Sequence, residues 1–109
     1  MVVLWSQDAS QDLLEIVRFI KERSGAGIAR QIYARVLAKV AKANSFPDSH
    51  RVVPELAQIG ITEVKEIIES PWRIFYRATE SEVRILSVID GRRNVEDILY
   101  RKMIEGKLR

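Results

Sequence analysis

The residues of this chain best suited to chemistry are arginines set among β-branched and aromatic neighbours. The segment reads Trp72-Arg73-Ile74-Phe75-Tyr76-Arg77, then a polar turn, then Val83-Arg84-Ile85-Leu86-Ser87-Val88-Ile89, and it closes on Asp90-Gly91-Arg92-Arg93. A guanidinium is always charged and presents a planar fork of donors that fits phosphate or carboxylate. Arg73, Arg77, Arg84, Arg92 and Arg93 are therefore candidates for binding an anion. Phe75 is a candidate platform on which a base could stack.

The two runs flank Thr79-Glu80-Ser81-Glu82, which predicts a hairpin. With Glu80-Ser81 as a two-residue loop, Thr79 opposes Glu82 and Arg77 opposes Arg84. Alternation then puts Ile74, Tyr76, Ala78, Val83, Ile85 and Ile89 on one apolar face, and Arg73, Phe75, Arg77, Arg84, Leu86, Val88 and Asp90 on the other. If Ser70-Pro71 is also a two-residue turn, Glu66 joins the second face opposite Phe75. Like charges facing each other across strands repel, so this register predicts a basic face built to meet an anion. The other reading is that the arginines are solvated strand residues with Glu66 as an ion partner.

The rest of the chain must supply the frame. At 109 residues it is long enough for one domain with one core. The absence of cysteine excludes a disulfide framework and thiolate chemistry, and a single histidine argues against a transition-metal site. No metal and no cofactor are expected. No apolar run reaches the ~20 residues of a membrane span, so no membrane partner is expected and a cytoplasmic location fits. Gly25 and Gly27 lie between two helical patterns without a preceding strand, so they do not form a phosphate-cradling loop. The net charge is +3; residues 1–71 hold nine Lys/Arg and nine Asp/Glu, whereas residues 72–109 hold nine and six. The excess positive charge sits in the final hairpin and tail.

Val2-Val3-Leu4-Trp5 predicts an opening strand, with Ser6 or Asp8 capping a helix that carries Leu13, Ile16, Val17 and Ile20 at helical spacing. Ser24-Gly25-Ala26-Gly27 breaks the pattern. A second helix follows with Ile28, Ile32, Val36 and Val40 as its stripe, widened by Tyr33 and Leu37, and it ends at Phe46-Pro47. A short connection predicts an antiparallel helical hairpin. Residues 50–62, with the loop histidine His50, read as irregular; Glu63–Glu69 reads as a strand. Asn94 caps a last helix whose acidic start and basic end suit its dipole, and Gly106 ends it. The predicted class is α+β, in the order β-α-α-β-β-β-α, with a small twisted antiparallel sheet on the helical hairpin.

In this order the segments resemble the RelE/ParE superfamily of bacterial toxins. The matching pieces are Val3-Leu4-Trp5-Ser6 through Asp12-Leu13, Phe46-Pro47-Asp48, Arg51-Val52-Val53-Pro54-Glu55-Leu56, Val64-Lys65-Glu66-Ile67-Ile68, Trp72–Arg77 and Val88–Arg93. The resemblance implies a growth-inhibiting toxin of a type II toxin–antitoxin system, with a cognate antitoxin as partner and a toxin–antitoxin hetero-oligomer as its stored form. It implies one of two targets. ParE-like members inhibit DNA gyrase and are not enzymes in that role; RelE-like members cleave mRNA on the ribosome. For the second, Arg73 and Arg93 (or Arg92) match the phosphate-binding arginines, and Glu55 resembles the glutamate base of some members. The lysine pair of RelE is replaced by Val64 and Glu66, and its terminal tyrosine by Leu99, with Tyr100 beside it. An incomplete acid/base set favours gyrase over mRNA. A non-toxic nucleic-acid-binding module is the remaining alternative. Trp5, Tyr33, Leu37, Ile98, Leu99 and Met103 are the expected antitoxin contacts.

Overall fold

The structure is a computed structural model that describes residues 1–109. Its elements are β1 Val2–Trp5, α1 Gln7–Ser24, α2 Ala26–Ser45, β2 Arg51–Val52, α3 Pro54–Ala57, β3 Val64–Glu69, β4 Trp72–Ala78, β5 Glu82–Asp90 and α4 Val95–Ile104. The strands form one sheet in the order β1-β5-β4-β3-β2. All neighbours are antiparallel except β1, which runs parallel to β5. The class is α+β as expected. The stretch 50–62, read as irregular, contributes the short β2 and the single turn α3. Both are too brief to leave a periodic signature.

Local chemistry accounts for the element ends. The Ser6 hydroxyl accepts from the Ala9 N–H at 3.0 Å and donates to the Leu86 carbonyl at 3.3 Å, so one side chain caps α1 and ties it to β5. Gly25 alone separates α1 from α2. The Asn94 side chain accepts from the Asp97 N–H at 3.1 Å and caps α4.

The hairpin loop is Glu80-Ser81, with the Thr79 N–H donating to the Glu82 carbonyl at 2.9 Å. Glu66 lies opposite Phe75 and Arg77 opposite Arg84, as the register predicts. Beyond that point β5 departs from simple alternation. Tyr76 pairs with Ile85 and Phe75 with Ser87, leaving Leu86 as the extra residue of a β-bulge. A bulge exchanges the two faces for every residue past it. Val88 therefore faces the helical hairpin and Ile89 the other side, the reverse of expectation. Asp90 likewise lies in a cleft against α1 rather than on the arginine face. The bulge is held by Asp12, whose carboxylate accepts from the Ser87 hydroxyl at 2.6 Å and the Val88 N–H at 3.0 Å. Lys102 of α4 pairs with both Asp12 and Asp8, which compensates the charge and links α4 to α1.

Both faces of the sheet are covered. On one, Ala9, Leu13, Val36, Val40 and Ala43 of the helical hairpin pack on Ile67, Ile74, Tyr76, Val83, Ile85 and Val88. On the other, Val53, Leu56, Val95, Leu99 and Leu108 pack on Val64, Phe75, Leu86 and Ile89. The arginine face is thus not an open basic surface. On α2 the buried positions are Ala29, Val36, Val40 and Ala43, while Ile28, Tyr33 and Leu37 are exposed. The small residues let α2 lie close to the sheet, and the large ones are turned outward. No helix is long and apolar enough to cross a membrane.

Candidate functional site

Arg73 projects from β4 toward β3 and α3. Its Nε donates to Glu66 Oε1 at 2.7 Å and its Nη2 to Glu66 Oε2 at 2.7 Å. Nη1 and Nη2 donate to the two oxygens of Glu55 at 2.7 and 2.8 Å. A guanidinium has five N–H groups, and two carboxylates engage it on both edges. The Glu66 side chain is fully buried, and Arg51 reaches it from β2 at 3.2 Å. Two glutamates and two arginines make a neutral cluster. It is seated on the Phe75 ring, 5.3 Å below the Arg73 guanidinium carbon. The Tyr100 hydroxyl closes one side by donating to the Glu55 carbonyl at 3.4 Å.

This geometry sets the protonation states. The hydrogen bonds from Arg73 hold the Glu55 carboxyl below its usual range against an opposing desolvation effect. Those with Glu55, and then Glu66, raise the Arg73 guanidinium further above its ordinary value. A depressed carboxylate already gripped bidentately is a poor proton acceptor, and Arg73 has little donor capacity left for a phosphate. Gly91 keeps the arrangement tight. A Cβ there would stand 3.0 Å from the Pro71 carbonyl and 3.3 Å from Arg73 Cδ.

The structure brings together Glu55, Glu66, Arg73 and Tyr100, and adds Arg51, whose place on the edge strand carried no sequence signal. It separates the others. Phe75 is fully buried, so the expected stacking platform does not exist. Arg77 and Arg84 donate to main-chain oxygens of Leu108 and Arg109. Arg92 pairs with Asp90 at 2.7 Å. Arg93 has no ion-pair partner and lines a cleft of about 400 Å³ with Phe19, Trp72 and Glu15 on the α1 side of the sheet. Arg73 and Arg93, which the resemblance matches to phosphate-binding arginines, therefore lie on opposite sides of the sheet and do not converge on one anion. The bulge in β5 redirects the chain before the turn that carries Arg93.

A second feature is apolar. Trp5, Leu13, Leu14, Val17, Tyr33 and Leu37 line a groove of about 510 Å³ outside the helical hairpin. It includes Trp5, Tyr33 and Leu37 from the expected antitoxin contacts. Val17 belongs to the apolar stripe expected of α1, whereas Leu14 lies outside it and carried no signal of its own. Leu99 is fully buried in the far core and is not available as a contact; Ile98 and Met103 are partly buried against the same core. The loop histidine His50 is half-buried edge-on against Tyr76, with ring centroids 6.0 Å apart.

Comparisons with known proteins agree with this architecture. A family model described as the ParE toxin of type II toxin–antitoxin systems matches residues 3–95. The chain is 26% identical over 104 residues to Toxin ParE3 of Caulobacter vibrioides, across 92% of this chain and 96% of that relative. Its fold is similar to a chain of the chromosomal ParDE system from P. aeruginosa. That match has a TM-score of 0.68 at 18% identity and covers 83% of this chain and 95% of the other.

Proposed function

The chain belongs to the ParE toxin family of type II toxin–antitoxin systems, and from that premise we propose that it arrests growth by inhibiting DNA gyrase through surface contacts and is neutralised by a cognate antitoxin. The observation that carries the choice of target is the engagement of Arg73. Metal-free RNA cleavage needs a base, an acid and a cation free to meet the charged phosphorane. Here the matching cation is gripped by Glu55 and Glu66, and the matching base is the same Glu55 held ionised by that cation. Burial of Phe75 also removes the stacking surface that a nucleic-acid-binding module would use. Binding to a protein target needs no proton transfer, and exposed groups such as Arg93 and Phe19 remain available for it.

The antitoxin seat we propose is the groove of Trp5, Leu14, Val17, Tyr33 and Leu37. Its apolar lining suits the apolar face of an amphipathic segment. The net charge of +3 favours an acidic one that associates faster at low salt.

The test is direct. Purified protein added to gyrase and relaxed plasmid should accumulate linear, gyrase-bound DNA, and it should leave mRNA on translating ribosomes intact. Ribosome-dependent mRNA cleavage without gyrase inhibition would replace this reading with the RelE-like one. Normal growth of cells accumulating the folded protein without a partner would remove the toxin activity itself.

A further inference from the structure

The helix α2 differs from the other helices in its charge. It carries Arg30, Arg35, Lys39 and Lys42 and no Asp or Glu, whereas α1 carries Asp8, Asp12, Glu15 and Glu22 and α4 carries Glu96 and Asp97. By helix geometry Arg35, Lys39 and Lys42 fall within about 60° of one another and span about 10 Å of the axis. They lie on the flank away from α1, since Tyr33 and Leu37 line the groove on the other flank. None of the three forms an ion pair. Like charges three or four residues apart weaken a helix. The negative end of the helix dipole favours only Lys42, which is in the last turn. Local structure gives no compensation for Arg35 and Lys39.

The cationic surface continues onto the sheet. Ile67 of β3 packs on the helical hairpin, so alternation puts Lys65 on the same face. Lys39 and Lys65 both act on His50. Burial first, and then these two ammoniums, hold its imidazole below its usual range. Lys65 pairs with Asp48 at 3.5 Å, but the Asp48 side chain is 98% exposed, so solvent screens that contact. Between the cations of α2 the exposed residues on this flank are Ala38 and Ala41. A protein–protein interface is anchored by large side chains in desolvated pockets, and none stands between Arg35 and Lys42 here. A phosphate backbone needs only charge and close approach, which small residues permit. Burial of Phe75 does not bear on such contacts, because they read no base.

We propose that Arg35, Lys39 and Lys42, with Lys65 beside them, dock the phosphate backbone of duplex DNA without regard to base sequence. Duplex DNA carries one phosphate charge per ~1.7 Å of its axis, so a stripe of ~10 Å lies against about six of them. The Arg35 guanidinium offers a bidentate fork to one phosphate, and the lysines act as point charges on its neighbours. The surface is separate from the groove of Trp5, Tyr33 and Leu37. It does not rest on the gyrase reading, because it requires DNA alone.

The experiment titrates a short fluorescein-labelled DNA duplex with the full chain and reads fluorescence anisotropy. Raising salt from about 50 to about 200 mM should weaken binding by about 40-fold, the dependence expected of three phosphate contacts. The combined variant Arg35→Gln, Lys39→Gln and Lys42→Gln should weaken binding at the lower salt by at least about tenfold and flatten the salt dependence. Glutamine keeps the helix propensity of the residues it replaces, and circular dichroism checks the fold. If the combined variant does not fold, Lys39→Gln alone takes its place, with an expected loss of about threefold. A control variant, Arg18→Gln, Arg23→Gln and Arg101→Gln, removes the same charge from other surfaces and should bind as the unmodified chain does. Equal weakening in the control would reduce the effect to net charge and overturn the proposal, as would full affinity in the α2 variant. A poly-glutamate peptide that binds more tightly than DNA through the same three residues would also overturn it and assign the surface to an acidic protein segment. No gyrase is present, so failure of gyrase trapping leaves these outcomes unchanged.

Discussion

The two faces of the sheet are built on different principles. The face toward the helical hairpin is closed mainly by apolar residues, with Asp12 as the carboxylate that joins α1 to β5, and its surplus aromatic and aliphatic side chains spill outward into a groove. The far face is closed by a thinner cover of α3, α4 and Leu108, and its arginines are satisfied internally by carboxylates and main-chain oxygens. Charge buried under a thin cover requires a partner for every group. The far face therefore spends its polar residues on holding together, while the hairpin face leaves side chains free to bind. The positive charge that marks the final hairpin in the sequence is thus mostly structural, with Arg93 and Arg109 as its unpaired members.

The strongest way to break this contrast is on the far face. Phe75→Ala should destabilise the protein by about 4 kcal/mol in urea denaturation, since it empties a fully enclosed ring site and removes the seat of the Arg73 cluster. Glu66→Gln should cost about 3 kcal/mol, because Arg73 and Arg51 would lose a buried counter-charge. A loss near zero in both would mean that the cluster is solvated and that Arg73 is free after all.

On the hairpin face the expectation reverses. Tyr33→Ala should leave stability within about 0.5 kcal/mol and weaken antitoxin binding by about 2 kcal/mol, measured by calorimetry. Arg93→Ala should likewise keep the fold and raise the concentration needed to trap gyrase several-fold, on the order of 1 kcal/mol. Unchanged trapping would place the target surface elsewhere.

The smallest effect concerns pH. Glu55 is held below its unfolded value of 4.5 by Arg73. Its contribution is fully present above that pH and is lost as pH falls below 4.5 through the lowered folded value. Melting temperature should drop in this acid window, and Glu55→Gln should flatten that part of the profile. An equally steep profile in the variant would assign the acid loss to other carboxylates.

Much of the frame was legible because it is local. Helix caps at Ser6 and Asn94, the hairpin loop at Glu80-Ser81 and the pairing of Glu66 with Phe75 follow from neighbouring residues and a period of two or 3.6. The ordered pieces from Val3 to Arg93 also carried the family, in agreement with the match over residues 3–95. The β5 bulge was not legible, since its stabilising acceptor, Asp12, lies 75 residues away from Ser87 in sequence. One inserted residue then moved Val88, Ile89 and Asp90 to faces that alternation had not assigned.

What the sequence by itself determined is which residues carry charge, which long segments become helix or strand, and that the chain has the order of a RelE/ParE-superfamily toxin. What only the tertiary structure decided is the partner of each charge. Arg73 meets Glu55 across 18 residues, and Arg77 and Arg84 meet the segment after α4 across 31 and 25. The physical reason is that an arginine in a strand reads the same whether it will face water, phosphate or a buried carboxylate. Only the packing of distant segments against the sheet sets its surroundings, and hence its role.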